Sequence, residues 1–317
     1  KFDAKVDWSN TGDRYKTYRI TPIDNGKQVS EELNLSGTGM GGNLDYFMGL
    51  FYLRESNHSE QYSYNNYTIP YTSTAETIGN TLADPVNTSY SAYAQATYKN
   101  LGVEGLSLTA GLRYTEDKRE GDTILSKPAG TADKRDIEWR SIFVKPASCR
   151  LVDATRTPLS PCFREGHAKF SAATWNVSLD YKVTPDVLVY AVTRRGYRAG
   201  GFTFTAYSPG ETQAFKPEFV NDYEIGLKST FDLGGASRLR FNLAAYHQDY
   251  KDVQRNVTYT PGTPQNPGLT PIVFFVNAAN AKVDGVEFDA NLTLGDRLEL
   301  MGSFSYSNAR YTSYLVN

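Results

Sequence analysis

The sequence predicts an all-β chain, an antiparallel transmembrane β-barrel segment of about 11–12 strands. Three observations predict it. Apolar residues recur at every second position in run after run. The runs reach about 9–11 residues, the tilted span of a bilayer core, whereas soluble sandwich strands are usually about 5–6. The connections alternate between short and long, as do the turns and loops on the two sides of an outer-membrane barrel. Composition agrees: 317 residues carry 23 Tyr, 16 Phe and 26 Gly but only 2 Cys and 3 Trp. Aromatic rings fit pleated surfaces and glycine supplies turns.

Residues 1–23 leave room for two strands, and 29–36 reads as a descending one. Strand 44–54 runs outward and 89–99 inward. At 106–115, Leu106, Leu108, Ala110, Leu112 and Tyr114 share a face opposite Ser107, Thr109, Gly111, Arg113 and Thr115. Strand 169–182 returns, with Trp175, Val177, Leu179 and Tyr181 alternating with Asn176, Ser178, Asp180 and Lys182. Strands 187–198, 219–231, 238–251, 283–294 and 298–309 follow in alternating directions. The long connections fall at 55–88, 117–167, 201–218 and 254–273. No helical element is expected.

Period two separates the faces of each strand. Leu108, Leu227, Phe288 and Leu292 fall on the apolar side, the expected lipid face. Glu224, Lys228, Glu287 and Asp289 sit in mid-strand on the polar side. Charges there suit a wet lumen and not a dry sandwich core. A net charge of −2 excludes a broadly basic nucleic-acid binder. His58, His167 and His247 are scattered, which argues against a histidine-built metal centre. No Ser or Cys is spaced with a His as a nucleophile and base require, so neither an enzyme nor a bound cofactor is expected.

Five segments carry a family likeness. VSEELNLSG with LDYFMGLFYLRES (29–56), AGLRYTEDKRE (110–120), VYAVTRRGYRAGGF (189–202), FKPEFVNDYEIGLKSTF (215–231) and NAANAKVDGVEFDANL (277–292) stand in one order. Together they resemble the barrel of TonB-dependent outer-membrane receptors of the siderophore-receptor type. The resemblance implies a barrel of about 22 strands around a separate N-terminal plug, a size regime with a plugged lumen. Residues 1–317 then read as the middle of such a barrel, with the plug and the C-terminal strands outside them. It further implies a cell outer membrane of a Gram-negative bacterium, and energy from the TonB complex through the plug. The expected function is active uptake of a scarce bulky solute, a ferric siderophore first of all. A passive porin-type channel and a surface adhesin are the alternatives.

Arg194, Arg195 and Arg198 ring the top of strand 187–198. They either face an anionic iron chelate, or anchor lipid head groups, or pair with nearby carboxylates. Glu224 and Lys228 would meet plug groups or pair structurally. Gly285 is expected to mark a bend where its strand enters the bilayer. Cys149 and Cys162 lie in the longest connection. In an outer-membrane setting a disulfide is the economical reading, with free thiols or metal ligation the alternative. Around them Lys145, Arg150, Arg156, Arg164 and Lys169 outnumber Asp153 and Glu165, so this loop is either an anion- or lipopolysaccharide-binding surface or an ordinary solvated one.

Overall fold

The computed structural model describes residues 2–5, 8–9, 18–65, 77–126, 149, 151–155, 157–203, 214–259 and 272–315. The chain forms β1 (Phe2–Lys5), β2 (Trp8–Ser9), β3 (Tyr18–Gly39), β4 (Leu44–Asn65), β5 (Thr77–Ala83), β6 (Val86–Lys99) and β7 (Leu106–Ser126). It continues with β8 (Arg164–Thr184), β9 (Val187–Arg198), β10 (Glu218–Gly234), β11 (Ser237–Tyr259), β12 (Ile272–Leu294) and β13 (Leu298–Tyr314). All belong to one sheet. β5 and β6 are a single strand position interrupted at Asp84 and Pro85, since both lie between β4 and β7 in unbroken register. Proline has no N–H for the ladder, which accounts for the break. β1 and β2 likewise share β3. Eleven strand positions result, within the expected number.

Strands are much longer than the alternating runs. β4 and β12 have 22 and 23 residues, twice the roughly 9–11 that a bilayer core needs. The excess lies on the side of the long connections. The short turns at the other end use left-handed backbone, at Asn100 (φ 54°), Gly235 (φ 60°) and Gly295 (φ 58°). One short 3-10 turn at Met40–Gly42 joins β3 to β4, a small correction to the expectation of no helical element.

The sheet is an open arc. Among the described residues β13 pairs only with β12, residues 27–39 of β3 pair only with β4, and no ladder joins β1 to β13. Gly285, expected at a bend, is paired on both sides without a register shift. It lies in mid-strand opposite Tyr246, whose ring covers it so closely that a Cβ would fall 2.7 Å from Cε1.

The most buried hydrophobic cluster among the described residues forms where the β7–β8 connection docks on the sheet. Leu82 of β5 and Ile124 of β7 pack with Cys149, Leu151 and Cys162 of the connection between β7 and β8. Cys149 and Cys162 are disulfide-bonded, with Cα atoms 5.4 Å apart. Within that ring Val152 bridges Pro158, and Asp153 Oδ1 accepts from the amides of Thr155 (2.8 Å) and Thr157 (2.9 Å).

Candidate functional site

Antiparallel register carries the period-two pattern across neighbouring strands and separates two continuous faces. Leu106, Tyr181, Val189, Leu227, Leu243, Phe288 and Phe304 form one row across seven strands. This face exposes its apolar residues: Leu33 is 72% exposed and Ile225 63%. A soluble monomer rarely exposes an apolar patch this extensive. Above the band, toward the long connections, the same face becomes charged. There His247 Nδ1 meets Asp284 Oδ1 at 2.5 Å, Arg310 meets Asp284 at 2.5 Å and Lys282 meets Asp249 at 3.3 Å.

The opposite face is polar, and register assembles it from residues far apart in the chain. Lys228, Asn242, Asp289 and Ser303 are successive cross-strand partners, as are Glu224, Tyr246, Gly285 and Ser307. Glu287 lies opposite Ala244 in the same set. Glu224, Lys228, Glu287 and Asp289 therefore share one face, and Leu108, Leu227, Phe288 and Leu292 share the other.

Arg194 of β9 organises this polar face. Its Nε donates to Asp222 Oδ2 at 2.8 Å, and its guanidinium also bonds Glu224. Tyr190 donates its hydroxyl to Glu224 Oε1 at 2.6 Å, and Gln248 Nε2 donates to Asp222 Oδ1 at 3.0 Å. Lys228 Nζ lies 5.3 Å from the centre of the Tyr190 ring. Asn242 donates to Asp289 Oδ2 at 2.9 Å. A second polar group lies on β3, β4, β6 and β7. Arg113 sits 5.3 Å from both the Phe51 and Tyr93 rings, and the Tyr93 hydroxyl bonds Glu32 and Asn34.

The three arginines grouped by sequence separate in space. Arg194 takes the carboxylate pairing. Arg195 points to the other face, its guanidinium 5.1 Å from the Trp175 ring and 4.3 Å from the Phe219 ring. Arg198 ends β9, exposed and without an ion pair among the described residues. Of the basic loop, Lys145, Arg150 and Arg156 lie outside the described residues. Arg164 donates to the Val152 carbonyl at 2.7 Å, and Lys169 pairs with Glu116 at 2.6 Å. Sequence alone gives Tyr190 and Asp222 no site role; the cross-strand register brings them to Glu224 and Arg194.

A family model of the TonB-dependent receptor-like β-barrel matches residues 2–317. The metal-pseudopaline receptor CntO of Pseudomonas aeruginosa (strain UCBPP-PA14) is 30% identical over 141 residues, 44% of this chain and 17% of that protein. The ferric yersiniabactin uptake receptor FyuA from Yersinia pestis superposes with a TM-score of 0.66 at 17% identity, over 94% of this chain and 38% of that one. The siderophore receptor PiuA from Acinetobacter baumannii superposes with a TM-score of 0.62 at 14% identity, over 98% of this chain and 43% of that one. At such identities the two structures establish the likeness of fold. The chain spans less than half the length of each of these three relatives.

Proposed function

The chain belongs to the TonB-dependent receptor-like β-barrel family, and from that premise we propose that the protein carrying it is an outer-membrane receptor for active uptake of a scarce bulky solute. The observation that carries the reading is the family match over 2–317 together with a two-faced open arc of eleven strand positions. An open arc leaves two rows of unpaired backbone groups that hydrocarbon cannot satisfy. Residues 1–317 accordingly form part of a larger barrel, whose further strands close it and whose plug fills it. The apolar band meets lipid, and the charged belt above it meets lipopolysaccharide head groups. The polar face with Glu224, Lys228, Glu287 and Asp289 lines the lumen.

Among possible cargoes a ferric siderophore is favoured. Relatives described as receptors for metal-pseudopaline and ferric yersiniabactin support a metal chelate as the ligand class. The role is transport and not catalysis, and TonB energises it through the plug.

The test is uptake of radioactive iron chelates by cells with the gene deleted or restored, with and without a protonophore. Restored, protonophore-sensitive uptake of at least one chelate is expected. Uptake of small solutes that ignores the protonophore and lacks chelate preference would instead identify a passive pore.

A further inference from the structure

Three of the motif segments that carry the family likeness, 189–202, 215–231 and 277–292, meet β11 at one point at the outer ends of β9–β12. There β11 carries a bulge, with register shifts around Val253 and Asp252 at φ 55°. The bulge turns Val253 and Gln254 inward, where they are 2% and 3% exposed. Gln254 and Asn277 are cross-strand partners, and both side chains reach across to the connection between β9 and β10. Gln254 Nε2 donates to the Ala199 carbonyl at 2.9 Å and to the Lys216 carbonyl at 3.0 Å. The two carbonyls stand at the opposite ends of that connection. Asn277 accepts from the Lys216 amide at 2.6 Å and donates to the Lys216 carbonyl at 2.9 Å. Thr203 Oγ1 accepts from the Phe275 amide at 3.1 Å, and Gly201 bridges Phe215. Gly200 completes the closure, since a Cβ there would fall 2.6 Å from a Phe170 ring carbon.

The charges around this knot are arranged unequally. Glu218 is the cross-strand partner of Arg198, yet its Oε2 accepts from the Gln254 backbone amide at 2.8 Å. Arg198 and Lys216 are exposed and make no ion pair among the described residues. By register both continue the polar face of Arg194, Asp222 and Glu224 to the outer end of the sheet.

We propose that Gln254 and Asn277 are positioning residues that clasp the two ends of the β9–β10 connection, so that Arg198 and Lys216 form an anion subsite at the barrel mouth. The proposal rests on the uptake reading above and narrows it to anionic chelates. A buried amide that donates to two carbonyls fixes both backbones at once, and leaving those carbonyls unpaired carries a desolvation penalty. The fixed backbone holds two cations on one face, neither in an ion pair among the described residues because the Glu218 carboxylate opposite Arg198 is turned to the Gln254 amide, and two cations so placed favour an anionic group.

The test uses the whole protein in detergent, with ferric citrate as the anionic probe and a neutral ferric tris-hydroxamate as the control. Arg198→Ala with Lys216→Ala should weaken ferric citrate binding by about tenfold or more, flatten its salt dependence and spare the neutral chelate. Arg198→Lys should retain most of the affinity. Gln254→Ala and Asn277→Ala should reproduce the selective loss while the heat-modifiable gel mobility of the folded barrel stays unchanged. Equal loss for both chelates in the clasp variants would reduce the clasp to a structural staple and overturn the proposal. Unchanged ferric citrate binding in the double alanine variant would overturn the subsite alone. A wild type that binds neither chelate, alongside failed iron uptake in cells, would remove the uptake reading and the subsite with it.

Discussion

The Tyr190 ring lies flat across Gly226, its cross-strand partner, so closely that a Cβ at Gly226 would fall 2.6 Å from the ring's Cε1. The absent side chain is what lets Tyr190 lean over and donate its hydroxyl to Glu224 Oε1. Gly226→Ala should therefore destabilise the barrel by about 1–3 kcal/mol, the usual cost of overpacking. In a Tyr190→Leu background the same substitution should cost much less, because the obstructing ring is gone. A double-mutant cycle on urea unfolding measures the coupling, and additive effects would refute this steric account.

The two faces give an asymmetric pair of neighbours. Leu227 lies in the apolar row between Val189 and Leu243, whereas Lys228 rests over Tyr190 on the polar face. Leu227→Arg should cost about 2–4 kcal/mol if lipid covers that row at mid-depth. Lys228→Gln should cost no more than the roughly 0.5–1 kcal/mol of an exposed cation–π contact. Folding titrations of both variants into lipid vesicles measure the difference, and equal losses would reverse or abolish the assignment of faces.

Alternation is legible in sequence only where one face is dry. Between 286 and 294 Val286, Phe288, Ala290, Leu292 and Leu294 alternate with polar residues and foretell the strand. At 55–65 the sequence is ESNHSEQYSYN, with polar residues on both faces, and yet it continues β4. With no apolar face there is no period to mark the strand, and the connection looks longer than it is. Residue roles show the same limit. Arg194, Arg195 and Arg198 are near neighbours in sequence, but alternation sends Arg195 to the opposite face and register gives Asp222 to Arg194. The clasp of Gln254 and Asn277 sits just past an irregularity in which an extra residue on β11 is offset by one on β12, and its partners across the β9–β10 connection lie far away in sequence.

The disulfide-closed hairpin should behave as a docked unit. Cys149 and Cys162 are 7% and 1% exposed, and Leu151 between them is fully buried against the sheet. Neither cysteine should react with iodoacetamide until a reductant is added. Reduction should loosen the hairpin by about 3 kcal/mol on the chain-entropy account, and Leu151→Ala should weaken its docking by about 2–5 kcal/mol. Limited proteolysis within 153–157 reads both effects. Alkylation of both thiols in the untreated protein would contradict the bond.

Near the outer ends of β4 and β7, stability should fall as pH rises. His58 lies beyond the apolar band, its Nδ1 2.5 Å from Asp84 Oδ1 and its Nε2 3.1 Å from Glu60 Oε1. Burial alone would lower its pKa, but the hydrogen bonds to Asp84 and Glu60 outweigh that and raise it above 6.5. Asp122 faces the same cluster. Burial first, and the charge of Asp84 next, raise its pKa above 3.8, with Glu165 adding to the rise and His58 opposing it. A raised folded-state pKa contributes stability that is complete below the unfolded value and lost as pH climbs through the folded one. Both groups therefore act in the same direction, Asp122 from the carboxylate range upward and His58 from 6.5 upward. Amide protection at 58–60 and 82–84, taken relative to the intrinsic exchange rate at each pH, should weaken between pH 6 and 8 in the wild type, over the range where an imidazolium loses its proton. His58→Gln should flatten that fall while leaving any Asp122-linked change at lower pH in place. Protection that strengthens from pH 6 to 8, or an unchanged profile in His58→Gln, would show that the imidazolium does not hold these strand ends together.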